Sequence, residues 1–152
     1  MVLALVLHSL AAAVWVGGMF FAYMALRPAA GALEPPQRLT LWRGTFDRFF
    51  PWVWAAVAAL LVSGYAMIFL HFGGFSGAGL HVHVMHGIGL VMMALFAHLF
   101  FAPWRRLKAA VDAGNWAEGG RNLGQIRRIV GINLILGLVT VAVGASGRYW
   151  PM

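Results

Sequence analysis

The chain has 152 residues, of which 62% are hydrophobic and 10% charged, and its mean hydropathy is +0.81. So few charged side chains cannot cover a water-soluble domain of this size, which predicts a membrane protein. The absence of cysteine excludes disulfides, thiolate metal sites, iron–sulfur clusters and covalent haem attachment. The net charge of +7 fits membrane topology, and nucleic-acid binding is not expected.

Four apolar segments are long enough to cross a bilayer as helices, which takes about 20 residues each. They cover residues 2–26, 49–70, 82–102 and 129–146. The sequence therefore predicts an all-α fold, with one domain over residues 1–152 that forms a polytopic bundle of four transmembrane helices.

The connections between these segments are short and amphipathic. Pro28 and the Pro35-Pro36 pair predict a break after the first span, and residues 39–50 predict a helix at the membrane interface. Residues 104–126 predict an extension of the third helix, a turn near Gly114 and a return.

The basic residues predict the orientation of the bundle. Ten of the eleven lie in the first and third connections, and only Arg148 lies on the other side. Because cytoplasmic loops are enriched in Lys and Arg, both termini and the middle connection are expected outside.

Five of the six histidines fall toward the predicted outer face. His71 ends the second span, and His81 and His83 open the third. His8 and His86 lie inside apolar helices, about 28 Å and about 25 Å above the cytoplasmic boundary at a rise of about 1.5 Å per residue. A polar ring at such a position needs a partner, which makes both residues candidates for function.

His98 is the exception, because it lies about 18 Å deeper than His86 at the helical rise. Phe96, Phe100 and Trp104 are close enough in sequence to bury it without any ligand. A structural role and a second cofactor site both stay open for this residue.

The first helix reads LHSLAAAVWVGGMFFAYMALRPA, from Leu7 to Ala29. Its Leu-His start, Trp-x-Gly-Gly centre and Arg-Pro end resemble the copper-resistance D membrane family. They also resemble related four-helix proteins that include the oxygen-independent protoporphyrinogen oxidase of many bacteria. The resemblance continues more weakly through RFFPWVWAAVAALLVSGYAM. It implies a multi-pass protein of a bacterial inner membrane.

The wider group resembles b-type cytochromes, so the resemblance implies haem b with His8 and His86 as axial ligands. Two imidazoles at equal depth on different helices can hold iron from opposite faces of one porphyrin. Arg148 is the available charge partner for the haem propionates. The expected function is electron transfer or haem-linked redox chemistry at the outer face, with a redox partner or a quinone. Catalysis as an oxidoreductase and oligomerisation stay open.

The alternative is a copper-binding or copper-uptake protein that uses the histidines of the middle connection and third helix. Neutral imidazole nitrogens suit copper, and methionine sulfur suits Cu(I). Carboxylates occur only in the predicted cytoplasmic segments, so a hydrolytic site near the histidines lacks a general base. The copper ligands would be His71, His81, His83 and His86, with softer contacts from Met67, Met85, Met92 and Met93.

Overall fold

A computed structural model describes residues 1–150, apart from the side chain of Arg148, and within that range all regular structure is helical. The long helices are α1 (Val2–Phe21), α3 (Pro35–Leu70), α4 (Leu80–Phe101) and α6 (Trp116–Ser146). A π-helical turn, Ala22–Leu26, joins α1 to the short α2 (Arg27–Ala30), and α5 (Pro103–Asp112) follows α4. Single 3-10 turns cover Phe75–Gly77 and Gly147–Tyr149.

Four helical stretches are long and apolar enough to cross a membrane, which confirms the predicted all-α, four-helix membrane fold. With their short continuations they cover Val2–Ala30, Pro35–Leu70, Leu80–Asp112 and Trp116–Ser146. The division into one domain over residues 1–152 stays a prediction.

Helix α3 differs from the prediction, because the interfacial helix expected over residues 39–50 and the second span form one helix of 36 residues. Pro35 occupies the first turn, where its missing N–H costs nothing. Pro51 lies inside the helix and does not end it. At about 1.5 Å per residue α3 is about 54 Å long, well beyond the roughly 30 Å of a bilayer core.

The predicted turn near Gly114 is confirmed. Ala102 leaves the helical conformation at φ −114° and ψ −87°, and α5 begins at Pro103. Gly114 adopts φ +67°, a left-handed conformation that suits glycine, and the chain then returns as α6. Asn115 caps α6, because its side-chain oxygen accepts a hydrogen bond from the Glu118 backbone N–H at 3.1 Å.

Helix α1 packs along α3, α4 packs along α6, and both α1 and α3 contact α6. The start of α1, the end of α3, the start of α4 and the end of α6 lie at one end of the bundle. We call this end, together with the connection 71–79, the histidine end. The opposite end carries α5 and most basic residues, and we call it the basic end.

Aromatic side chains fill the bundle toward the basic end. Phe50 stacks on Phe46 with ring centroids 4.8 Å apart, and meets Trp104 edge-on at 5.2 Å. Phe96 of α4 joins the same cluster, 5.5 Å from Phe50. All four side chains are buried, and we call them the aromatic core.

Polar pairs cover the basic end around this core. Arg43 of α3 forms an ion pair with Asp112 of α5 at 3.1 Å. Arg106 donates to Asn122 and to Gln125 of α6, each at 3.0 Å. These contacts join α3, α5 and α6 outside the predicted spans.

Candidate metal-binding end of the bundle

His8 is half-buried on α1 and faces α3. The Ser63 hydroxyl donates to the Ala59 carbonyl at 2.5 Å, so its oxygen accepts from His8 Nδ1, which lies 3.0 Å away. A neutral imidazole that donates through Nδ1 carries its lone pair on Nε2. Gly64 leaves room for the ring, since a Cβ there would lie 3.3 Å from His8 Cε1. His8 therefore presents an unprotonated Nε2, as metal-bound histidines do.

His86 lies on α4 and contacts α3 through Tyr65. Its Nε2 is 3.1 Å from the Tyr65 hydroxyl oxygen. The ring also packs edge-on against Phe75 of the connection, with centroids 5.0 Å apart. This histidine is half-buried and has both an aromatic and a polar neighbour.

His83 shares the Phe75 ring with His86. It is exposed, and its ring centroid lies 5.8 Å from that of Phe75. Residues three apart on a helix lie on one face, which brings His83 and His86 to the same side of α4. Gly73 and Gly74 adopt positive φ, 72° and 110°, and so allow the connection to fold Phe75 back over these two histidines.

His81 points to a different neighbour, the end of α6. Its ring lies where a Cβ on Gly147 would be, so this contact requires a glycine. The Nδ1 of His81 is buried and has no hydrogen-bond partner among the described residues. Met85, one turn further along α4, approaches α6 in the same way, with Sδ 3.0 Å from the position of a Cβ on Gly144.

His71, at the end of α3, contacts neither Phe75 nor the end of α6 in the described contacts and lies at a third position. Its ring packs edge-on against the neighbouring Phe72, with centroids 5.0 Å apart. It also lines a cavity between the end of α3 and the start of α1.

The four histidines predicted as one copper site are thus divided over three places. Within residues 1–150, no three His, Asp or Glu side chains are grouped closely enough to hold a metal ion. The reason is helical geometry: residues two apart, such as His81 and His83, differ by about 200° around the axis. Only His83 and His86 share a face and a neighbour.

The two predicted haem ligands also turn toward different sides of α3. Ser63, the partner of His8, is buried at 2% exposure, whereas Tyr65, the partner of His86, is 36% exposed. Two positions apart, they lie on opposite sides of the helix. The hydrogen-bond partners of the two imidazoles therefore lie on opposite sides of α3. The side chain of Arg148, the predicted propionate partner, lies outside the described residues.

His98 is exposed on the surface of α4, so its aromatic neighbours do not bury it. Phe96 and Trp104 are buried in the aromatic core instead. Sequence reasoning missed the two hydrogen-bond partners, Ser63 and Tyr65. Polar residues inside an apolar span were the available signal, because such groups need partners in lipid.

The four helices long and apolar enough to cross a membrane define a multi-pass membrane protein. The model of one family, copper resistance protein D, matches residues 43–146, and the chain belongs to this family. The matched range begins in α3 and ends with α6, and so includes His71, His81, His83 and His86 but not α1. No curated protein matches the chain. No solved structure matches it either.

Proposed function

We propose that the protein handles copper at the histidine end, with His83 and His86 as one ligand pair and the copper ion as cargo. The observation that carries the proposal is the shared position of these two rings on one face of α4, both against Phe75. Membership of the copper resistance protein D family supports the choice of metal.

The chemistry of the pair suits copper. Both donors are imidazoles, which copper accepts readily, and no carboxylate lies in the connection or in α4 to favour a harder ion. Tyr65 holds the His86 ring through Nε2. If Nε2–H donates to the Tyr65 oxygen, Nδ1 carries the lone pair and is free to bind the ion.

Copper binding by the purified protein in detergent tests the proposal. Competition with a chromophoric Cu(I) chelator under reducing conditions, and with a Cu(II) chelator in air, gives affinity and stoichiometry. His83→Ala and His86→Ala should each weaken binding at this site at least tenfold, while the exposed His98→Ala serves as the matched control. Unchanged affinity in both variants would remove the pair from the site.

We further propose the predicted setting: a bacterial inner membrane, with both termini outside. The excess of Lys and Arg at the basic end supports this orientation. The chain has no cysteine, so single cysteines can report it. Ser76 is exposed in the connection, and Gly120 has no atom within 4 Å of an added Cβ. A membrane-impermeant maleimide should label Ser76→Cys but not Gly120→Cys in intact cells, and the reverse pattern would invert the orientation.

Haem coordination by His8 and His86 stays a prediction, as do electron transfer, a redox partner and the relation to protoporphyrinogen oxidase. In the structure the two rings hydrogen-bond to Ser63 and Tyr65, which are two positions apart on α3. A Soret band in the purified protein that disappears in both His8→Ala and His86→Ala would establish the haem function instead.

A further inference from the structure

An open surface cavity of about 90 Å³ lies between the start of α1 and the end of α3, away from the His83 and His86 pair, and Met1, Leu70 and His71 are exposed along it. Half of its lining consists of side chains with metal-binding donor atoms, two thioethers and one imidazole. The lining residues are Met1, Ala4, Ala66, Met67, Leu70 and His71.

The backbone places two of these donors on one side of the cavity. Met67 and His71 are four residues apart at the end of α3, so they lie on the same helical face. The His71 N–H donates to the Met67 carbonyl at 3.1 Å, so the helical geometry continues as far as His71. Met1 lines the cavity from the α1 side.

We propose that this cavity binds Cu(I) through the Sδ of Met67 and a ring nitrogen of His71, with the Sδ of Met1 as a third donor. The inference rests on the copper-handling function proposed above and adds a second site to it. Thioether sulfur is a soft ligand that favours Cu(I) over Zn²⁺ and Mg²⁺, and none of the lining side chains is a carboxylate, a lysine or an arginine.

The space around these donors supports binding over packing. A flexible methionine in a membrane protein usually fills the gap beside it. Here the two methionines border an open volume larger than the roughly 30 Å³ that one water molecule occupies in the liquid. An ion with two or three ligands fits such a volume.

The histidine of the cavity also has different aromatic neighbours from the His83 and His86 pair. His71 packs against Phe72, whereas His83 and His86 pack against Phe75. The two sites can therefore be removed separately by substitution.

The test is Cu(I) titration of the full chain in detergent, with a competing chromophoric chelator and ascorbate as reductant. Wild type should bind one ion more than Met67→Leu or His71→Ala. Met24→Leu is the matched methionine control, because Met24 is exposed in the π-helical turn that follows α1, and His98→Ala is the histidine control. Copper X-ray absorption should show sulfur neighbours in the wild type that weaken in Met67→Leu and persist in Met24→Leu.

Three results are distinguishable. If Met67→Leu and His71→Ala keep the wild-type stoichiometry and sulfur signal while His83→Ala and His86→Ala lose an ion, the inference falls and the proposed function stands. If the wild type binds no copper at all, both fall. Loss of one ion in Met67→Leu and His71→Ala, with circular dichroism unchanged, establishes the cavity as a copper site.

Discussion

In the aromatic core, Phe46, Phe50 and Trp104 meet one another within 6 Å and leave only a small cavity beside them. At the histidine end, α1 and α3 border an open volume, and Met1, Leu70 and His71 along it are exposed. Dense packing of buried rings stabilises a bundle, whereas exposed side chains add little to its stability. The difference indicates that folding depends more on the aromatic core than on the histidine end.

The largest effect is expected from a substitution in the aromatic core. Phe50→Ala removes a buried ring that contacts Phe46, Phe96 and Trp104, and should lower the free energy of unfolding by about 3–5 kcal/mol. Unfolding in mixed detergent micelles, followed by circular dichroism, measures it.

The matched control at the histidine end is Phe69→Ala. Phe69 is 59% exposed, so its loss should change the free energy of unfolding by no more than about 0.5 kcal/mol. Equal losses in the two variants would contradict the division of the molecule into a packed and an open region.

An intermediate effect is expected where the two regions join, at the level of Gly137. A Cβ there would lie 2.9 Å from Val16 Cγ2 and 3.2 Å from Met92 Cε, so α1, α4 and α6 meet over this glycine. Gly137→Leu should overpack the junction and cost about 1–3 kcal/mol in the same unfolding assay.

Gly87 provides the control for this substitution, because no atom lies within 4 Å of a Cβ added there. Gly87→Ala should be neutral or stabilise the protein by up to about 1 kcal/mol, since alanine favours a helix over glycine. A stable Gly137→Leu variant would mean that the dense packing ends closer to the basic end.

The sequence predicts the helices well because the bilayer requires long apolar stretches, which hydropathy detects directly. It cannot predict which way a ring turns, because that depends on the rotation of each helix against its neighbours. Hence the sequence could not predict that His8 bonds to Ser63 and His86 to Tyr65, nor that His98 is exposed.

The continuity of α3 likewise could not be predicted from the local sequence. The interfacial helix over residues 39–50 and the second span were predicted as separate helices, yet α3 continues through Pro51, and Phe46 and Phe50 stack on the turns before it. The first-helix motif that carries the sequence resemblance also lies outside residues 43–146, the range that the family model matches. Family and motif were therefore supported by different parts of the chain.

The smallest expected effect concerns the hydrogen bond that orients His8. Ser63→Ala removes the acceptor of the Nδ1 proton and should cost about 1 kcal/mol, the usual net value of one hydrogen bond. Ser9→Ala, at an exposed position on α1, is the control, and its free energy of unfolding should change little.

Nitrogen-15 NMR of the histidine rings measures the same hydrogen bond directly. His8 should be protonated at Nδ1 in the wild type and should lose that preference in Ser63→Ala. A wild-type ring protonated at Nε2 would show that Ser63 donates to His8, and His8 would then offer no free nitrogen to a metal ion at the histidine end.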